Sequence, residues 1–117
     1  MVGMGKVYVA NAFSLNMLKP ISKFSEYVLL VKEVSENYVK KLLSENEFIS
    51  VIGHESTAKF LSKRLGIEIK ANRVEIKLEP GDLLIVAQLC KRLPEGEILS
   101  EKQLEQIHIK YFIVFVR

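Results

Sequence analysis

Cysteine and aspartate each occur once in this 117-residue chain, and those two scarcities remove whole classes of chemistry. A single cysteine, Cys90, cannot form an intramolecular disulfide. Without neighbouring cysteines it cannot build a zinc knuckle, which leaves it the role of a small apolar filler. Pairing Cys90 with His54 for nucleophilic catalysis would need an exposed, acidified thiol, and nothing nearby in the sequence requires one. The one aspartate, Asp82, sits in a Pro80-Gly81-Asp82 turn, and the glutamates are scattered. No cluster of hard ligands for paired metal ions is visible. A Ser-His-Asp hydrolase is disfavoured, because the chain has no Gly-x-Ser-x-Gly elbow, and glycine-rich phosphate loops are missing too.

Long apolar runs are also lacking. No segment approaches the roughly 20 residues of a membrane-spanning helix, and the start, Met-Val-Gly-Met-Gly-Lys, has no signal-peptide core. The expectation is an intracellular protein with no membrane partner. Net charge is only +3, too small to attract a long nucleic acid. A local cluster of Lys59, Lys63, Arg64, Lys70 and Arg73 suits a compact anion better.

What is present is a composition 49% hydrophobic and 26% charged, enough for one core and one domain over residues 1–117. Residues 6–10 (KVYVA) alternate as a strand does, and Asn11 and Ser14 follow its C-terminal end. Residues 14–18 suggest a short helical turn that Pro20 must stop soon after. A second strand is expected over 27–34. Ser35 then caps a helix whose apolar face is Tyr38, Val39, Leu42 and Leu43. Residues 48–52 form a third strand, followed by a helix with Ala58, Leu61 and Leu65 buried, Lys59, Lys63 and Arg64 on its wet side, and Gly66 at its end.

Residues 67–69 and 74–78 read as two strands of a hairpin with Asn72 near the tip. Residues 83–89 are apolar nearly throughout, as a central strand covered on both faces would be, with Gln88 the polar interruption. A loop carrying Arg92, Pro94, Glu95 and Gly96 follows, of a kind that can close over ligands. Ser100 and Gln103 make a capping box for a last helix, in whose pattern His108 reads as structural, and residues 111–116 form a terminal strand. The order β, β, α, β, α, β, β, β, loop, α, β predicts an α/β domain with a mixed sheet of about five or six strands flanked by helices.

Polar residues collect at the predicted strand ends: Asn11 and Ser14, His54 to Thr57, and Gln88 to Glu95. Ligands of open α/β sheets favour such ends. The turn Gly53-His54-Glu55-Ser56-Thr57 sets an imidazole beside the free N–H groups of a helix start, where a phosphate can be held and protonated. The plainer reading is that His54 only caps or packs at a strand-to-helix corner, that Asn11 and Ser14 only turn the chain, that Gln88 satisfies a backbone group, and that Arg92 and Glu95 form a solvated pair. With metal clusters, triads and reactive thiols set aside, what remains is one histidine, arginines, small polar donors and a loop glutamate. RNA phosphodiester cleavage runs on such equipment, since the ribose 2'-OH is the nucleophile. An imidazole can donate the proton that the leaving 5'-oxygen needs, typically for ~10²–10⁴-fold in rate, while Arg92 or Arg73 balances the phosphorane charge.

The segments 6–18 (KVYVANAFSLNML), 52–57 (IGHEST), 72–78 (NRVEIKL) and 92–96 (RLPEG) together resemble, in the same order, the viral ring nuclease family of type III anti-CRISPR proteins. They cover nearly the whole chain apart from residues 19–47. The resemblance implies a homodimer that binds cyclic tetraadenylate in a pocket shared by both subunits. It implies cleavage without metal or other cofactor to linear diadenylates ending in 2',3'-cyclic phosphate, in the cytoplasm of a host if the protein is viral. By the same resemblance His54 is the general acid, Arg92 and Glu95 are the catalytic pair of the closing loop, and Asn11, Ser14, Asn16, Ser56, Thr57, Arg73 and Gln88 hold the ligand. Two departures from that pattern are Glu55, where aspartate is common, and Pro94, where the loop often has an acid. Two other classes stay open: a sponge that binds cyclic oligoadenylate without cutting it, and a small nucleic-acid-binding or interaction protein.

Overall fold

The computed structural model describes residues 5–19, 26–90 and 101–117. Five strands form one sheet in the order β2-β5-β4-β1-β3. In chain order they are β1 (Val7–Ala10), β2 (Leu29–Val34), β3 (Ile49–Ser50), β4 (Leu83–Leu89) and β5 (Ile109–Val116), with helices α1 (Glu36–Glu45), α2 (Glu55–Leu65) and α3 (Glu101–Gln106) between them. β1 runs parallel to both neighbours, β3 and β4. β5 is antiparallel to both β4 and β2, so the sheet is mixed, as expected.

Each face of the sheet has its own core. On one side, α1 and α2 lay Val39, Leu43, Ala58, Phe60, Leu61 and Leu65 over Val7, Val9, Ile85, Ala87, Tyr111 and Ile113. On the other side no α-helix covers the sheet among the described residues. There Phe13, Met17, Leu18, Ile76 and Leu78, from two irregular segments, pack on Tyr8, Ala10, Leu84, Val86, Val114 and Val116. β4 is therefore buried from both sides, which is why its sequence is apolar almost without a break.

The helix ends follow their local chemistry. Ser35 Oγ accepts the Tyr38 N–H at the start of α1. α2 ends at Gly66, whose φ of 68° is left-handed and whose N–H bonds Ser62 O. Between Ser14 and Leu18 the chain makes one 3-10 turn, residues Leu15–Met17.

The hairpin expected over residues 67–78 does not form. Residues 67–77 are irregular, and only Leu78 makes an isolated bridge, parallel to Leu18. The backbone groups of this segment find other partners: Ile69 N–H bonds Ser62 Oγ at 2.8 Å, Asn72 N–H bonds Ile52 O at 2.8 Å, and Lys19 N–H bonds Leu78 O at 3.0 Å. Its alternating apolar residues signal packing onto the sheet, not pairing in it. Tyr38, expected on the buried stripe of α1, is exposed. Arg64 is not on a wet face: its Nε lies 2.9 Å from Glu36 Oε1, and its Nη1 donates to Ile107 O, tying α2 to α1 and to the end of α3. Cys90 is exposed, one residue beyond β4, and fills no core site. His108 lies past α3, also exposed, and only its carbonyl is structural, accepting from Cys90 N–H. The capping box at Ser100, Pro20 and the loop with Arg92 and Glu95 fall outside the described residues.

The lone aspartate is a fastener. Asp82 is buried, and its two carboxylate oxygens accept from Lys6 N–H and Glu79 N–H, each at 2.9 Å. A Cβ on Gly5 would collide with Asp82 Oδ1 and lie 2.6 Å from the Gly81 carbonyl carbon. Asp82→Ala strands both donors, and a urea titration should show about 2–4 kcal/mol lost. Glu79→Ala, which removes an exposed carboxylate, should cost under about 1 kcal/mol.

Burial is the main cause that raises the Tyr111 hydroxyl above its ordinary value, with Glu36 adding to it, and burial raises Tyr8 as well. Raised folded-state values favour the fold below the unfolded phenol pKa of about 10 and withdraw that support as pH rises past it. Unfolding free energy measured from pH 8 to 11 should therefore fall with pH. Tyr111→Phe should flatten the slope, leaving the part due to Tyr8.

Candidate functional site

Three parallel strands lie side by side in the order β4-β1-β3, so their C-terminal ends share one edge of the sheet. Register fixes what meets there. Ala10 stands opposite Val86 and Val9 opposite Ser50, so Asn11 leaves β1 level with Ala87 on β4, one residue before Gln88, and beside the chain that runs from β3 to His54. Neighbouring strands are about 4.8 Å apart, which makes these three exits neighbours. β4 is longer than β1 at this end, and Gln88 there is paired with Lys110 of β5 and exposed.

His54 is the N-cap residue of α2. Its φ of −109° and ψ of 128° are extended, its carbonyl accepts the Ala58 N–H at 3.0 Å, and its side chain makes no capping bond. The N–H groups of Glu55, Ser56 and Thr57 have no intrahelical acceptor, so the helix start offers donors and a partial positive charge beside an exposed imidazole. Ser56 is exposed there. Thr57 is 7% exposed and faces the core, so at this corner its side chain is part of the packing. Glu55 carries the opposite charge but leans along the helix, 3.5 Å from Lys59 Nζ.

Arg73 comes to this turn from the irregular segment after α2. Its Nε and Cγ lie 3.6 and 3.7 Å from where a Cβ of Gly53 would sit, which places the exposed guanidinium arm against the residue before His54. The loop after β1 is joined to that same segment. Ser14 Oγ accepts the Asn16 N–H at 3.3 Å, and Asn16 O accepts Lys77 Nζ at 2.6 Å. The 14–19 loop is thereby clipped to the same segment that carries Arg73, through Lys77, Leu78 and the Lys19–Glu79 ion pair at 2.9 Å. That pair holds the Glu79 carboxyl below its ordinary range and Lys19 above its own, by hydrogen bond first and charge second.

Asn11, His54, Ser56, Arg73 and Gln88 thus belong to strand ends and loops at one edge of the fold, with Ser14 three residues past Asn11, whereas Asn16 is bound to Lys77, in the stretch that leads on to Glu79 and Asp82. Arg92 and Glu95 lie outside the described residues. Among the described residues no group of three or more His, Cys, Asp or Glu gathers as a metal site would, and no helix is long and apolar enough to cross a membrane. The sequence reading missed Asn72, whose side chain bonds Ser50 O at 2.7 Å, and Lys77. Both act through the irregular segment that the strand pattern disguised.

The fold has known counterparts. The family described as STIV B116-like matches residues 7–113. This chain belongs to that family. B116 of Sulfolobus turreted icosahedral virus has the same fold, with a TM-score of 0.78 and 30% identity over 95% of this chain and 99% of that one. Uncharacterized protein 26 of Sulfolobus islandicus filamentous virus is 39% identical over 102 residues, 86% of this chain and 83% of the relative. Protein YddF of Bacillus subtilis is 32% identical over 85 residues, 71% and 79% of the two chains. Relatives thus come from viruses of archaea and from a bacterium.

Gly53 has no positive φ, and a Cβ there meets Arg73 only at ordinary contact distance. Gly53→Ala should therefore fold with stability within about 1 kcal/mol of the parent, whereas Gly66→Ala, at a left-handed position, should cost about 1 kcal/mol or more. Thermal melts of the two variants side by side check this.

Proposed function

We propose that this protein is a metal-independent ring nuclease that binds cyclic tetraadenylate at a pocket shared by two copies of the chain and cuts it to linear diadenylates. The observation that carries this reading is the convergence at one sheet edge of an uncapped, exposed histidine at a helix start, an arginine laid against the residue before it, and small polar donors from two further strand ends. That is a phosphate-binding edge with one proton donor. A ligand with repeated phosphodiesters and a two-fold arrangement of two such edges suit one another.

In the reaction, a ribose 2'-oxygen attacks the adjacent phosphorus and its proton passes to solvent. The P–O5' bond breaks, the leaving oxygen takes the proton of His54, and a 2',3'-cyclic phosphate remains. Arg73, the α2 N-terminus and Ser56 would hold the phosphate, Asn11, Ser14, Asn16 and Gln88 the nucleosides, and Thr57 would contribute its backbone N–H. Arg92 and Glu95, taken from the family resemblance, would complete the catalytic set by stabilising the phosphorane and positioning the 2'-hydroxyl. Cleavage would remove the messenger of type III CRISPR defence and so silence its effectors. The cytoplasm is where such a messenger is met.

The protein incubated in EDTA with labelled cyclic tri-, tetra- and hexaadenylate should convert the tetramer to diadenylate with a cyclic phosphate end. Retarded but uncut ligand would replace the nuclease by a sponge. His54→Ala should lower turnover by at least ~10²-fold with binding kept. Arg73→Ala should mainly weaken binding, by about tenfold or more.

A further inference from the structure

Among the described residues β3 is an edge strand of two residues, paired on one side only, with β1. The chain continues from it through Val51, whose N–H bonds Val9 O at 2.9 Å, to Ile52 and Gly53. The carbonyls of Ser50 and Ile52 are not used by another strand. Both are taken by one residue: Asn72 gives its side-chain Nδ2 to Ser50 O at 2.7 Å and its backbone N–H to Ile52 O at 2.8 Å. Ser50 and Ile52 are themselves buried, so unfilled acceptors there would be costly. A single asparagine does at this edge what a sixth strand would do.

The consequence falls on the next residue. Val74 N–H bonds Asn72 O at 3.0 Å, which bends the chain immediately after the anchor. Arg73 occupies that bend, with its side chain along Gly53. Leu78, fully buried and bridged to Leu18, holds the far end of the segment. Arg73 is thus one residue from a two-bond anchor and three from Ile76, the next residue packed on the sheet.

We infer that Asn72 is a positioning residue of the phosphate site: by filling the open edge of β3 it fixes Arg73 beside the His54 turn. The inference rests on the proposed function for its ligand but not for its geometry, so two measurements separate the two. In the protein without ligand, the Arg73 Nε–H resonance should be distinct in the parent and move to the averaged position of a free arginine in Asn72→Ala and Asn72→Ser. An unmoved resonance in folded variants overturns the inference whether or not the protein cuts cyclic tetraadenylate. With cyclic tetraadenylate, Asn72→Ala should raise Kd about tenfold, the size of one lost hydrogen bond, and change kcat less than twofold. In an Arg73→Ala background the same substitution should change Kd less than twofold, because its effect passes through Arg73. Full additivity of the two substitutions in Kd would show that Asn72 acts independently of Arg73 and would overturn the inference. If the parent neither binds nor cuts the ligand, the ring-nuclease reading fails while the resonance measurement still decides the role of Asn72.

Discussion

β1 is four residues long, wholly buried, and parallel to the strands on both its sides. Parallel neighbours must end at the same edge, and the connections leaving β1 and β3, whose next strands run in the same direction, must travel back across the fold. The polar residues that come after β1 and β3, and Gln88 near the end of β4, are gathered by that one constraint. Had β1 been antiparallel to either neighbour, His54 or Gln88 would lie at the opposite edge from Asn11. Helix α2 takes its place as the connection leaving β3, and its N-terminus points at the shared edge for the same reason.

The two faces of the sheet divide the labour. Helices cover one face and supply a core of ordinary helical stripes. Irregular segments cover the other, and they are the segments that carry Ser14, Asn16 and Arg73. Their apolar members, Met17, Leu18, Ile76 and Leu78, anchor them to the sheet, and Lys77 and Lys19 fasten one to the other. A loop held in this way by its own buried side chains keeps its polar residues in place without secondary structure.

Much of the fold was legible in the sequence because its signals were local. Residues 83–89 announced a two-sided central strand through an unbroken apolar run, Ser35 and Gly66 announced helix ends through cap chemistry, and His54 announced a corner through its glycine and hydroxyl neighbours. Residues 67–78 misled because alternation reports which side chains are buried, not which backbone groups pair. Leu78 and Ile76 alternate with polar residues because the segment lies flat on the sheet. Arg64 misled for a related reason: helical spacing put it near the polar side, and only the approach of Glu36 and Ile107 O made that position an internal junction. The partnership of Asn72 with Ser50 and Ile52, twenty or more residues apart, leaves no local pattern at all.

Asp82 joins the beginnings of β1 and β4 at the edge of the sheet opposite the polar residues. The tight approach of Gly5 to Gly81 lies at that same closed edge. Fold integrity and ligand chemistry therefore occupy opposite poles of the same strands. A lineage can exchange the side chains at the open pole, and with them the ligand, while the closed pole keeps the scaffold assembled. Sequence drift in such a family should be read separately at the two poles, since change at one records altered recognition and change at the other records altered endurance.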